Sequence, residues 1–180
     1  MSEEKKKIKM KYIILLIPIF LLNFQGFSQK KDNYNINKQN FINLENKTFT
    51  FEEITKSNKG QTVYLFFWAD WCGVCKKEVN KYIQVYRELK DKNIAFVYIS
   101  ASHSKQSWRK ALDDLKIKKH GTHFHCDIEE LDQFWDTFKL KGVPQFVVID
   151  SEGNINDKNA PWPTILAGNK YMQNATFFEK

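Results

Sequence analysis

Two cysteines, Cys72 and Cys75, stand three positions apart and can form a dithiol that opens and closes as a disulfide. They follow an apolar run, residues 63–69, whose β-branched and aromatic composition predicts a buried parallel strand. Apolar residues then recur at helical spacing, so a helix is predicted to begin near Cys72. A helix N-terminus carries partial positive charge and unpaired N–H groups, which favour a thiolate. We therefore expect Cys72 to be the nucleophile and Cys75 to resolve the mixed disulfide.

The alternatives for a Cys-x-x-Cys pair are half a zinc site and a structural disulfide. A structural zinc ion needs four ligands, but the chain has three cysteines, and Cys126 has no near partner in the sequence. A strand before the pair and a helix after it favour redox chemistry over metal binding.

Composition and charge restrict the class of protein. A chain of 180 residues with 42% hydrophobic and 15% aromatic residues is typical of one globular domain. The net charge is +7, but five lysines and two glutamates in residues 1–28 contribute +3, which leaves +4 for the rest. Because this surplus is spread out and no basic patch with interleaved aromatics occurs, nucleic-acid binding is not expected.

The N-terminus has the layout of a secretory signal. Residues 1–28 combine lysines, an apolar run of about a dozen residues and small residues before Gln29. The apolar run is shorter than the ~20 residues that a membrane-spanning helix requires. Residues 29–40 are a polar linker and residues 41–180 form the folded domain. The protein is thus expected in the periplasm or otherwise exported, with an uncleaved membrane anchor as the alternative.

The remaining patterns predict an α/β sandwich around one mixed sheet. Strands are predicted at 41–44, 48–51, 94–99 and 145–149, the first two as a hairpin, with a closing hairpin at 150–155. Amphipathic helices are predicted from apolar residues at helical spacing in 108–115 and in 131–138. The second of these helices is expected to begin near Asp127. The aromatic residues of both helices are expected to pack in the core.

Residues 67–78 resemble the active-site stretch of thioredoxin-fold proteins, most closely the TlpA/ResA-like exported thiol-disulfide oxidoreductases. Residues 142–144 resemble the cis-proline loop of that family, and residues 149–155 resemble its terminal hairpin. The resemblance covers about residues 41–165. It implies an α/β, thioredoxin-like fold: a central mixed β-sheet flanked by helices, with an N-terminal β-hairpin and a helix-containing insertion at about 100–126.

The resemblance also implies roles for individual residues. Pro144 is expected to be cis, Val143 to offer its backbone to an extended client segment, and Trp71 to shape the docking groove. Glu78 is expected to take the proton from Cys75 as that thiol attacks. The alternatives are an ordinary trans proline and a solvated glutamate in the first helical turn.

The chain departs from the family pattern at three places. Phe66 occupies the position of a buried aspartate in classical thioredoxins, and Val74 occupies a position where a proline is usual in thioredoxins. A change inside the motif alters the redox potential, so the sequence leaves open whether the protein reduces or oxidises. The final helix, after Pro163, is expected to be short or absent.

Two other functions are alternatives to the redox hypothesis. A copper-delivery protein of the same fold would use Cys72, Cys75 and a distal His103 or His125, although such proteins typically separate their cysteines by three residues. A peroxiredoxin-like peroxidase would use one cysteine in a Thr/Pro-rich loop, which residues 69–72 do not resemble.

Residues 123–126, with the sequence HFHC, are typical of a strand, in which successive side chains point to opposite faces. His123, His125 and Cys126 therefore cannot all converge on one metal ion. Surface histidines and a buried Cys126 are expected there, with His103 in a loop and no metal site.

The sequence therefore predicts an exported thiol-disulfide oxidoreductase, and the resemblance alone implies the protein-disulfide reductase type. No cofactor is expected, because the electrons reside in the dithiol. Its expected partners are disulfide-bearing exported client proteins and a separate protein that returns it to the reduced state, with contact to the membrane only if the N-terminal segment stays uncleaved.

Overall fold

The computed structural model describes residues 39–126, 135–136 and 139–168. The predicted signal segment, nearly all of the linker and the start of the third helix near Asp127 lie outside these residues. None of the described helices is long and apolar enough to cross a membrane.

Strands and helices alternate through the middle of the described chain. The predicted strands and the first two helices are confirmed, with small differences at their ends. The strands are β1 (Asn40–Asn43), β2 (Thr48–Thr50), β3 (Thr62–Trp68), β4 (Ile94–Ser100), β5 (Thr122–His125), β6 (Gln145–Ile149) and β7 (Ile155–Asp157). The described helices are α1 (Phe51–Ser57), α2 (Gly73–Leu89), α3 (Lys105–Asp114) and α4 (Pro163–Gly168).

The described strands form one mixed seven-stranded sheet in the order β2-β1-β5-β4-β3-β6-β7. Strands β3, β4 and β5 are parallel, whereas β6 runs antiparallel to β3 and the two hairpins form the edges. The predicted α/β class with a central mixed sheet is confirmed. Because parallel strands end at the same edge of the sheet, the loops after β3 and β4 meet there, and the Cys-x-x-Cys pair follows β3 directly.

The predicted insertion adds a strand as well as a helix. Helix α3 leads into β5, which pairs in parallel with β4 and antiparallel with β1. His125 lies opposite Ser100 on one side and Ile42 on the other. The insertion therefore joins the N-terminal hairpin to the rest of the sheet.

Helix α1 was not predicted, because Phe51 was assigned to the hairpin strand, and that assignment is wrong. The Thr50 side chain accepts a hydrogen bond from the Glu53 backbone at 3.1 Å, and the Glu53 carboxylate accepts one from the Thr50 backbone at 2.7 Å. This capping box satisfies two backbone donors at the helix start. Phe51 and Ile54 are then buried on the inner face of the helix.

The core beneath the cysteine pair is aromatic. Phe66 is completely buried and stacks on Phe146 at 4.5 Å and on Tyr82 at 5.2 Å, measured between ring centroids. The Tyr82 hydroxyl donates to the backbone carbonyl of Tyr64 at 3.0 Å. The position that holds a buried aspartate in classical thioredoxins is thus filled by packed rings.

Candidate active site

Cys72 and Cys75 form a disulfide at the N-terminus of α2. Cys72 is the N-cap residue and keeps 7% of its surface exposed, whereas Cys75, in the first turn, is completely buried. Access therefore differs between the two sulfur atoms. A second protein can approach Cys72, and Cys75 is placed to react with Cys72 alone.

The surroundings of Cys72 favour negative charge on its sulfur. The backbone N–H of Cys75 donates to the Sγ of Cys72 at 3.1 Å. Helix α2 directs its positive end at the same atom, and its first turn contains no acidic residue. Once the disulfide is reduced, these groups stabilise a Cys72 thiolate, because hydrogen bonds and positive charge lower the free energy of the ionised form.

The loop before β6 closes over the pair. The Val143–Pro144 peptide bond is cis, which confirms the conformation that the resemblance implied. The carbonyl oxygen of Val143 lies 3.7 Å from the Sγ of Cys72. Gly142 has a φ of +119°, which residues with a side chain rarely adopt, so the approach of the loop depends on glycine at this position.

A groove of about 490 Å³ lies beside the disulfide. Trp71 is 49% exposed, and its Nε1 donates to the carbonyl oxygen of Ala101 at 3.2 Å, which fixes the indole ring. The ring of His103, which lies in the predicted loop, stacks on Trp71 at 6.1 Å. The residues that line the groove are Trp71, Ala101, Trp135, Asp136, Leu140, Gly142 and Val143.

Trp135 has a different place from the one predicted. Its helical spacing put it in the core, but it is only partly buried, packs on Phe67 at 5.6 Å and lines the groove. Helical spacing identifies the side of a helix that faces inward, but it does not show where that side reaches a surface opening.

Glu78 is a buried member of helix α2, with 9% of its surface exposed. The alternative of a solvated glutamate is therefore wrong. Its Oε2 accepts a hydrogen bond from the backbone N–H of Thr164 at 3.1 Å, and its Oε1 lies 2.6 Å from the Thr164 hydroxyl. Glu78 and Cys75 are three positions apart on the helix, which makes their side chains neighbours on one face.

Thr164 was missed by the sequence analysis. It is the second residue of α4, so the final helix is present in the described chain and reaches at least Gly168. No local pattern links Thr164 to a residue 86 positions earlier. Only the packing of α4 on α2 brings the two together.

The histidines of β5 are buried, so their predicted surface position is wrong. His123 stacks on Tyr98 at 4.3 Å and His125 on Trp108 at 5.5 Å. His123 and His125 share one face of β5, and Trp108 of α3 packs on that face, a contact between distant segments that sequence alternation alone could not reveal. Cys126 is buried, as predicted, and accepts a hydrogen bond from the Gln39 side chain. Among the described residues, no group of three His, Cys, Asp or Glu side chains has the arrangement of a metal site.

Comparisons with known proteins point to the same chemistry. A family model described as thioredoxin-like matches residues 60–155. The thiol-disulfide oxidoreductase ResA of Bacillus cereus is 26% identical over 162 residues, covering 86% of this chain and 88% of the relative.

The solved structures that share the fold include the two that follow. The thioredoxin domain of a thiol-disulfide oxidoreductase from Bacteroides vulgatus superposes with a TM-score of 0.63 at 21% identity, over 77% of this chain and 91% of that one. A secreted disulfide oxidoreductase from Mycobacterium tuberculosis gives a TM-score of 0.55 at 19% identity, over 73% and 92% of the two chains.

Proposed function

Because the chain belongs to the thioredoxin-like family, and within it to the TlpA/ResA-like thiol-disulfide oxidoreductases, we propose that it reduces disulfides in exported client proteins. One observation carries this proposal. The sulfur of Cys72, a residue that keeps 7% of its surface exposed, lies at the N-terminus of α2, accepts a hydrogen bond from the Cys75 N–H and faces the cis-proline loop, while Cys75 is completely buried.

The first step is the attack of the reduced enzyme on its client. The Cys72 thiolate displaces one sulfur of the client disulfide, so a Cys72–client bond forms as the client S–S bond breaks. The displaced client sulfur leaves with the electron pair and takes a proton. Helix α2 and the Cys75 N–H lower the free energy of the attacking thiolate.

The second step releases the client. Cys75 gives its proton to Glu78, and the resulting thiolate attacks the Cys72 sulfur, which re-forms the Cys72–Cys75 disulfide and breaks the Cys72–client bond. The second client sulfur leaves with the electron pair and takes a proton. Two electrons have then moved from the dithiol to the client. Glu78 fits this task because it is buried on the same face of α2 as Cys75. Bulk water therefore does not compete with its carboxylate for the proton of Cys75.

Client binding is assigned to the cis-proline loop and the groove. Val143 offers its backbone to an extended client segment in the manner of strand addition, beside the sulfur that attacks. Trp71 forms one wall of the groove, and Pro144 holds the loop in the conformation that brings Val143 to the disulfide. Trp135 adds a second aromatic wall.

The N-terminal segment supports a site of action outside the cytosol. Its lysines, apolar run and small residues favour export, and the fold is shared with a secreted oxidoreductase. Outside the cytosol, client disulfides persist and need an enzyme to manage them. A separate redox partner must return the enzyme to its dithiol form after each turnover.

Trapping in cells tests this proposal. With Cys75→Ser, Cys72 still attacks but nothing displaces the client, so exported proteins with disulfides should accumulate as covalent adducts on Cys72. Mass spectrometry of these adducts identifies the clients. The matched control, Cys75→Ser combined with Cys72→Ser, should trap none. Adducts that persist in the double variant, or that consist of cytosolic proteins, would contradict the proposal.

A further inference from the structure

We propose that Thr164 is the positioning residue that holds the Glu78 carboxyl group for proton exchange with Cys75. The inference rests on the proposed function, in which Glu78 accepts that proton. It gives helix α4 a part in the redox chemistry although α4 contributes no atom to the disulfide or to the groove.

The contacts of Glu78 single out Thr164. Within the described residues, every hydrogen bond to the Glu78 carboxyl group comes from this one residue. The Thr164 backbone N–H donates to Oε2 at 3.1 Å, and the hydroxyl oxygen lies 2.6 Å from Oε1 and 2.7 Å from Oε2. A buried carboxyl group depends on such partners, because burial without them is costly.

The two donors of Thr164 have different capacities. A backbone N–H can only donate, so it keeps Oε2 in the role of an acceptor. The incoming proton therefore belongs on Oε1. A hydroxyl group can donate or accept, so Thr164 can donate a hydrogen bond to the carboxylate and then turn to accept a hydrogen bond from Oε1 once Oε1 is protonated. The carboxyl group can thus gain and lose a proton without losing its partner.

The position of Thr164 is itself fixed by packing. Leu166, two residues further along α4, is completely buried, and its backbone N–H is bonded to the Trp162 carbonyl oxygen at 3.0 Å. This anchoring holds Thr164 against the face of α2 that bears Cys75 and Glu78. Loss of the Thr164 hydroxyl should therefore disturb proton transfer without disturbing the access of a disulfide to Cys72.

A single-turnover reaction separates the two steps. The pre-reduced enzyme is mixed with 5,5′-dithiobis(2-nitrobenzoate), whose coloured thiolate is released once when Cys72 attacks and once more when Cys75 resolves the adduct. Thr164→Val removes the hydroxyl group but keeps the side-chain shape and the backbone N–H. Thr164→Ser restores a hydroxyl group. Thr55→Val, which removes an exposed hydroxyl bonded to the Glu52 carbonyl oxygen, is the matched control.

We expect Thr164→Val to slow the second phase about tenfold at pH 7, since the Glu78 carboxyl group then loses the hydroxyl that holds it in place. The first phase should stay within about twofold of the unaltered enzyme. Thr164→Ser and Thr55→Val should both match the unaltered enzyme in the rate of the second phase.

Glu78→Gln separates failure of this inference from failure of the proposed function. If Glu78→Gln slows the second phase and Thr164→Val does not, the role of Thr164 is overturned and the function stands. If Glu78→Gln leaves the second phase unchanged, the proposed role of Glu78 is overturned, and that of Thr164 with it. Equal slowing of both phases by Thr164→Val, or no recovery with Thr164→Ser, would show a merely structural role and overturn the inference.

Discussion

Replacing Cys72 with serine is expected to lower the rate of disulfide reduction by about a thousandfold or more. Cys72 is the cysteine with exposed surface, and its sulfur accepts the Cys75 N–H at the positive end of α2. A serine hydroxyl at the same place stays protonated and is a far weaker nucleophile toward sulfur. The rate is measured as reduction of insulin by the dithiothreitol-coupled enzyme, compared with dithiothreitol alone.

Cys126→Ala is the matched control for that experiment. Cys126 is buried at the end of β5 and bonded to the Gln39 side chain, and the proposed reaction makes no use of it. Its replacement should leave the rate within about twofold of the unaltered enzyme. Loss of activity with Cys126→Ala, or substantial activity in Cys72→Ser, would reverse the assignment of the nucleophile.

The free energy of unfolding is expected to fall by about 3 kcal/mol, through His123 alone, as the pH decreases from above 6.5 to about 4. Burial lowers the pKa of His123 to about 4, although its hydrogen bond with the Ile117 carbonyl oxygen opposes this effect. His120 and Lys118 lower this pKa further by charge repulsion.

The sign follows from proton counting. Between pH 6.5 and pH 4, His123 binds a proton in the unfolded chain but not in the folded protein. The unfolded state therefore takes up more protons, so the stability is complete above this window and is lost as the pH falls through it.

His123→Phe isolates that contribution, because phenylalanine keeps a ring against Tyr98 but does not titrate. Urea unfolding of the oxidised protein at pH 7, 5.5 and 4.5 gives the free energy for both proteins. The unaltered protein should lose more stability than the variant over this range, whatever their difference at pH 7. Parallel curves for the two proteins would contradict the lowered pKa of His123.

The redox pair and its supporting elements could be predicted because local patterns encode them. The apolar run that becomes β3, the cysteines at the start of α2 and the spacing that defines α3 are all short-range features. The cis bond before Pro144 is different. Sequence alone favours trans at most X–Pro bonds, so only resemblance to a family pointed to cis.

Other features escaped prediction for distinct physical reasons. Helix α1 carries a readable capping box at Thr50 and Glu53, but it was overlooked because Phe51 continues an alternating pattern. The burial of His123 and the contact of Thr164 with Glu78 depend on how distant segments pack. No local pattern records such packing, so those two features required the fold.

The pH dependence of alkylation tests the central claim most directly, namely that the sulfur of Cys72 is ionised in neutral solution. The fully reduced protein is treated with limiting iodoacetamide from pH 5 to pH 10, and the label on each cysteine is quantified by mass spectrometry. The account predicts rapid and selective labelling of Cys72 at pH 7, with Cys75 and Cys126 protected by burial. Labelling of Cys72 that rises only near pH ~8.5, as for free cysteine, or that begins at Cys75, would contradict it.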